Sequence, residues 1–379
     1  MRKSLAANAL MFLIVGLIGL GAVLGWGKAQ FSTPGPLAQA ICITVERGSN
    51  FSKVSGELAE MGAISAPWLF RIGVRNSGKS DDLKAGKFLI RQGSSMEEIT
   101  DALTQGGAST CGNEIVLRVG VKRSDIQMRA MDPASERMVT LSGHVLGEGE
   151  LPSKYNEMRQ DPATEYRVLM AEGTTVWQIA EALKQAEFLT GEIGELPTEG
   201  MMAPDSYEVA AGSDRAELIA RMVAAQEQRI AEAWAARATD LPIESAEELL
   251  VLASIIEKET GVAEERGLVA GVFVNRLERG IRLQTDPSVI YGITLGKEIL
   301  GRGLRVSELR AETPYNTYVI PALPPTPIAN PGKASLEAAA NPEATDFIFF
   351  VADGTGGHAF ARTLDEHNAN VAKWRAAGN

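Results

Sequence analysis

The chain of 379 residues is 45% apolar and 22% charged, an ordinary globular composition that excludes a disordered, collagen-like or small disulfide-scaffold protein. Its 48 acidic and 37 basic side chains leave a formal charge of -11, which argues against the basic face a nucleic-acid partner needs. Three histidines (His144, His358, His367) and two cysteines (Cys42, Cys111) are too few to build a His/Cys metal site. No metal and no cofactor is expected.

Residues Ala6 to Trp26 carry no charge and only one strongly polar side chain, Asn8, about the ~20 residues a helix needs to cross a bilayer. A cleaved signal peptide would also start with Arg2 and Lys3 before an apolar run. The run from Leu10 to Trp26 exceeds the usual ~7–15-residue signal core, and Val23-Leu24-Gly25-Trp26 offers no small-x-small exit. The expectation is an uncleaved anchor over residues 1–27, with the N-terminus cytoplasmic and everything beyond Lys28 outside, as the positive-inside tendency directs. Residues 28–41, with Pro34, Gly35 and Pro36, form a linker. An exported body permits a disulfide, and Cys42 and Cys111 stand at the ends of one segment. Spacing alone leaves open whether they are bonded.

A strand-and-helix unit then recurs. Ile43 to Val45, Phe88 to Ile90 and Tyr166 to Leu169 are β-rich runs leading to Gly48, Gly93 and Gly173. A Ser or Thr follows each glycine as a candidate helix cap. Apolar residues come three, six and ten positions beyond it: Phe51, Val54 and Leu58; Met96, Ile99 and Leu103; Val176, Ile179 and Leu183. The first two units span residues 42–112 and the third 162–212. Between them, residues 113–161 show an alternating stretch from Ile115 and a polar, Met-rich segment, an insertion to which no role is assigned.

From residue 213 the pattern is helical. Ser245 and Glu248 make a Ser-x-x-Glu capping box before the run Leu249 to Ile256, and Gly261 supplies a stop. This helix carries Glu257 and Glu259, which point to different faces because i and i+2 differ by roughly 200°. Glu259 extends the apolar stripe of Leu252, Ile255 and Ile256. Desolvation and the negative helix end should both raise its pKa, which suits a general acid. The alternative is a solvated acid, or one paired with Lys258 or Arg266. Further on, Gln284-Thr285-Asp286-Pro287, Tyr315-Asn316-Thr317-Tyr318 and Leu323 to Gly332 are polar, turn-rich loops of the kind that line clefts. Asp353 to His358 is glycine-rich but lacks a Gly-Lys-Ser/Thr ending. A hairpin returning through Ala359 to Ala361 is expected rather than a phosphate loop.

In combination, Leu252 to Thr260 with its Glu-Lys-Glu-Thr core, Val272 to Leu277, Leu283 to Pro287 with Val289 to Gly292, Tyr315 to Tyr318, the Leu323 to Gly332 loop, and Phe350 to Gly354 with Gly357-His358 resemble the endolytic murein transglycosylases of the YceG-like family. Pro204 to Tyr207 resembles the family's Pro-Asp-Thr-Tyr element, with Met201-Met202-Ala203 where aromatic residues are expected. Pro325-Thr326-Pro327 also departs from the family's glycine between prolines. The resemblance implies an α+β protein: a transmembrane helix, a LysM-like βα module over 42–112, and a catalytic α+β domain over 213–379. It implies that one glutamate of Glu257 and Glu259 cleaves β-1,4 bonds between N-acetylmuramic acid and N-acetylglucosamine. The helical phase selects Glu259.

One acid suffices for a lytic transglycosylase, because the muramic C6 hydroxyl displaces water and leaves a 1,6-anhydro end. Asp286 is a candidate helper, and Gln284, Tyr315, Asn316 and Asn330 are candidates for positioning substrate; for each the competing role is a loop-fixing hydrogen bond. Peptidoglycan strands, the cytoplasmic membrane and peptidoglycan synthases (penicillin-binding proteins) are the implied partners, with the catalytic domain periplasmic and the chain single-pass in the inner membrane. Two rivals stand beside this reading. One is a non-catalytic, membrane-tethered glycan-binding scaffold; the other is a hydrolase pairing Glu259 with Asp286.

Overall fold

A computed structural model describes residues 2–105 and 110–377. Residues 1, 106–109 and 378–379, which fall in the stretches read as the cytoplasmic stub, the LysM-like module and the C-terminal domain, lie outside it. The fold is mixed α and β, and the chain divides into two units.

The first unit comprises residues 1–115, 128–142 and 152–165. It opens with α1 (Arg2–Ser32), of which Leu13–Ser32 is long and apolar enough to cross a membrane. The helix thus runs on past Lys28 into the segment expected to be a linker. Next come β1 (Ile41–Val45), α2 (Phe51–Glu60), α3 (Pro67–Asn76), β2 (Gly86–Ile90) and α4 (Met96–Thr104). β1 and β2 pair antiparallel with Ile43 opposite Phe88. Ile43, Phe88 and Ile90 bury against Val54, Leu58, Phe70, Ile99 and Leu103. Cys42 and Cys111 are bonded, their Cα atoms 5.7 Å apart. In the chain-entropy account, closing a loop of 69 residues stabilises by about 4 kcal/mol.

The turns before the helices place the caps one residue later than expected. Gly48 and Gly93 take φ of 79° and 68°, a left-handed conformation that glycine adopts without steric cost. The turn consumes the following serine in each case, so the caps are Asn50 and Ser95. Ser95 and Glu98 form a reciprocal capping box. Gly173, in the second unit, repeats the geometry with φ of 76°, and Thr175 caps in a box with Gln178.

The segment 113–161 is made of β3 (Asn113–Val119), β4 (Ser124–Asp132), β5 (Arg137–Val145) and α5 (Ser153–Arg159). Its strands join β6 (Glu165–Met170) and β8 (Ser206–Val209) in one sheet of order β5-β4-β3-β6-β8.

The second unit comprises residues 116–127, 143–151 and 166–379. It contains α6 (Val176–Gln185), the short parallel pair β7 (Leu189–Thr190) and β9 (Ser213–Asp214), and α7 (Arg215–Ala235). Five more helices follow: α8 (Ala246–Glu259), α9 (Arg266–Glu278), α10 (Asp286–Thr294), the short α11 (Val306–Leu309) and α12 (Lys333–Ala340). The hairpin β10 (Phe349–Ala352) and β11 (His358–Ala361) and then α13 (Leu364–Ala376) complete the chain. Phe350 lies opposite Phe360 in the expected hairpin. α8 is the centre of this unit: all eight residues from Leu249 to Ile256 are buried, so it is apolar all round rather than striped. Val269, Phe273, Leu336 and Ala339 pack into the same core.

Candidate active site

α8 delivers two carboxylates to different neighbours. Its start is fixed by the Ser245 hydroxyl, which accepts from Glu248 N at 3.2 Å, while the Glu248 carboxylate reaches past the cap to Glu244 N at 2.6 Å. The helix ends because Thr260 is extended (φ -135°, ψ 133°); Gly261 is not in the left-handed region. In the last turn, Glu257 turns toward the start of α12, where its Oε2 accepts from Gly332 N at 3.0 Å and from Ser335 Oγ at 2.7 Å. This is a helix N-terminus holding a carboxylate, and it occupies Glu257 structurally.

Glu259 lies in the electrostatic field of another set of groups, chiefly Asp286 and Arg276. Burial raises its pKa to about 7. Asp286 adds to the shift by like-charge repulsion, and the Arg276 guanidinium opposes it. A carboxyl so placed is protonated in a large fraction of molecules near neutrality, as a general acid must be.

Loop residues build the wall around it. Asp286 opens α10 and accepts a hydrogen bond from the Tyr318 hydroxyl at 2.7 Å. Burial, helped by Asp286, raises the Tyr318 pKa and keeps that hydroxyl a donor. Thr285 N donates to Thr317 Oγ1 at 2.9 Å, and Thr317 Oγ1 in turn contacts Ser288 Oγ at 2.9 Å. These bonds lock the start of α10 to the Tyr315–Tyr318 loop. Arg276 is buried and donates to the carbonyls of Arg282, Leu283 and Ile348. It also reaches Gln284 Oε1 at 3.3 Å. Gln284 is exposed with a φ of 55°, a left-handed backbone unusual for a residue with a Cβ.

The predicted site residues therefore separate. Asp286 lies beside Glu259, and Gln284 joins them through Arg276. Asn316 is fully buried: its amide donates to the carbonyls of Glu308, Leu309 and Ala311, and its oxygen accepts from Tyr318 N. It shapes the loop. Asn330 is buried too, donating to Thr174 O and accepting from Met202 N, both at 2.8 Å. Tyr315 pairs its hydroxyl with Thr326 Oγ1 at 2.8 Å and packs edge-on against Tyr291, ring centroids 5.1 Å apart.

Asn330 and Tyr291 meet at a carboxylate that sequence reasoning did not single out. Glu199 accepts from Val176 N at 2.9 Å, Gly200 N at 3.3 Å, the Tyr291 hydroxyl at 3.3 Å and Asn330 Nδ2 at 3.4 Å. Burial raises its pKa to about 7, against the lowering effect of the Val176 and Gly200 amides, the Tyr291 hydroxyl and Lys258. The one available signal was its position, an acid followed by glycine just before Pro204-Asp205-Ser206-Tyr207. Near the C-terminal hairpin, Glu265 holds His358 by its backbone N at 2.8 Å and by its ring Nδ1 at 2.7 Å. The Gly357-His358 block thus joins the hairpin to the start of α9. Among the described residues, no group of three or more His, Cys, Asp or Glu is placed to hold a metal ion.

Known proteins resemble this chain in sequence along most of its length. An endolytic murein transglycosylase from Bacillus subtilis is 26% identical over 337 residues, covering 89% of this chain and 85% of its own. One from Streptococcus pneumoniae is 24% identical over 356 residues, covering 88% of this chain; the match spans only 58% of the pneumococcal protein. A crystal structure of a YceG-like protein from Listeria monocytogenes covers 88% of this chain at 24% identity, with a TM-score of 0.47. The sequence profile of the YceG-like family matches residues 43–373, and by that match the chain belongs to the YceG-like family.

Proposed function

We propose that this protein is a membrane-anchored endolytic lytic transglycosylase of murein, with Glu259 as its catalytic acid. The observation that carries the proposal is the Glu259 carboxyl, poised at about 7 by burial and by Asp286, within a family whose relatives from Bacillus subtilis and Streptococcus pneumoniae are endolytic murein transglycosylases. In this reading Glu259 gives its proton to the oxygen bridging N-acetylmuramic acid and N-acetylglucosamine as the C1–O bond breaks. The acetamido group of the muramic residue supports the positive charge at C1. The muramic C6 hydroxyl then forms the new C1–O bond and returns its proton to Glu259, now the base. No water is consumed, and the products are a 1,6-anhydromuramic end and a free 4-hydroxyl.

Asp286 serves as helper by keeping the Glu259 proton in place, and exposed Gln284 is the candidate for contact with sugar hydroxyls. Asn316 and Tyr315 shape the loops that carry Asp286 and Tyr318, while Asn330 ties its own loop to Thr174, Met202 and Glu199. The helix α1 serves as a single inner-membrane span with the N-terminus cytoplasmic, and the βα repeats as a LysM-like module. Both would place Glu259 in the periplasm beside newly made, unfinished strands and their synthases, where cleavage ends elongation.

The test is to incubate the full chain in detergent with purified glycan strands and identify both new ends by mass spectrometry. Anhydromuramic ends from cuts inside strands are expected. Reducing muramic ends would establish the hydrolase instead, and a folded protein that binds strands without cutting them would be a scaffold.

A further inference from the structure

The helix α3, Pro-Trp-Leu-Phe-Arg-Ile-Gly-Val-Arg-Asn, divides its side chains in an unusual way. Leu69, Phe70 and Val74 are buried in the core of the first unit. The opposite side is not a polar face: Trp68 is 51% and Ile72 46% exposed, flanked by exposed Arg71 and Arg75. Large apolar side chains beside arginines on one face of a short helix suit a water–lipid boundary, where rings and aliphatic groups sit among acyl chains and guanidinium groups meet phosphates.

The position of this face is set by α1. At Gly73 the missing side chain makes room for the ring of Phe31, since a Cβ there would overlap the ring carbons. One helical turn earlier on α1, Gly27 faces Leu69, with 3.5 Å from its would-be Cβ to the Leu69 Cδ1. Ser32 Oγ donates to Glu97 Oε2 at 2.7 Å, joining the same end of α1 to α4. The contacts between α1 and α3 leave a cavity of about 470 Å³, lined by Trp26, Lys28, Phe31, Trp68 and Ile72 together with Glu97. Trp26 itself is 54% exposed. Two tryptophans and a lysine thus share one level, at the end of the apolar helix, in the arrangement that marks a membrane–water interface.

We propose that α3 lies in the headgroup layer of the outer face of the membrane, with Trp68 and Ile72 inserted and Lys28, Arg71 and Arg75 among lipid phosphates. This rests on the reading of α1 as a membrane span. It means that the first unit is docked on lipid and does not swing on a tether.

Site-directed spin labelling of the full chain in lipid vesicles tests it, because both native cysteines are consumed in the Cys42–Cys111 disulfide. Labels are placed by Ile72→Cys, by Asp81→Cys as an exposed reference in the same unit, and by Leu17→Cys in α1. The expected result is an oxygen-to-nickel accessibility ratio at position 72 several-fold above that at 81 and approaching that at 17. A ratio at 72 equal to that at 81, with 17 reading as lipid, would overturn the docking while leaving the anchor intact. Spin–spin broadening at 72 without oxygen enrichment would assign the face to a second copy of the chain and overturn it equally. A water-like ratio at 17 would remove the anchor and the docking together.

Discussion

The Tyr318 hydroxyl donates to Asp286 at 2.7 Å, and Asp286 in turn presses the pKa of Glu259 upward. The acid of this site is thus tuned by a neighbour that is itself held in place. Asp286→Asn removes the repulsion and lowers the Glu259 pKa. The alkaline limb of the pH–rate profile, expected near 7 in the parent protein, should move to lower pH. Tyr318→Phe keeps the charge and frees its geometry, so it should lower the rate with a smaller shift of the limb. Profiles of kcat/KM on purified glycan decide both.

The two carboxylates of α8 make opposite forecasts. Glu259→Gln should reduce cleavage by about a hundredfold or more, the loss typical of a general acid, with a melting temperature close to that of the parent. Glu257→Gln should retain cleavage, since its partners are Gly332 N and Ser335 Oγ. It should cost about 1 kcal/mol of stability through a weakened pair of hydrogen bonds. A dead Glu257→Gln beside an active Glu259→Gln would reverse the assignment.

Glu199 predicts a pH dependence of stability. Its pKa is raised from 4.5 to about 7 on folding, so the folded chain binds this proton more tightly than the unfolded chain. The contribution is fully present below pH 4.5 and is lost as pH rises to about 7. At ~1.4 kcal/mol per unit the shift sets an upper bound of about 3 kcal/mol, which partial access of water reduces to about 1–2 kcal/mol. Glu199→Gln should flatten the fall in melting temperature across this window and raise stability above its upper end. An unchanged slope would show that the carboxyl does not titrate as described.

The disulfide gives a fourth expectation. Cys42→Ser, or reduction of the full chain, should destabilise the first unit by about 2–5 kcal/mol, read as an earlier melt in scanning calorimetry. Cleavage of soluble glycan at low temperature should change little, because the site residues all lie in the second unit.

How far these features were legible varies with the range of the forces that set them. The three glycine turns and the apolar spacing after them are local, and they marked α2, α4 and α6 correctly; the caps slipped by one residue because the left-handed glycine occupies one more position of turn than propensity alone suggests. The Leu249 to Ile256 run announced α8, and the wide angular separation of Glu257 from Glu259 followed from helix geometry. Asn316 and Asn330 could be recognised as loop residues, but not whether their amides faced inward. Asn330 is bound to Thr174, 156 positions away, and Glu199 to Val176 and Asn330, 23 and 131 positions away. A carboxyl desolvated by such distant neighbours leaves no periodic trace.

Gln284 sits in the left-handed region beside the groups that surround Glu259, a conformation costing a non-glycine residue of order 1 kcal/mol. Glycine at this position would relieve that strain and discard the amide. Variant libraries sorted for thermal resistance should therefore enrich Gln284→Gly, whereas the same libraries sorted for glycan cleavage should retain glutamine; divergence of the two selections at this codon would expose a local trade between robustness and turnover.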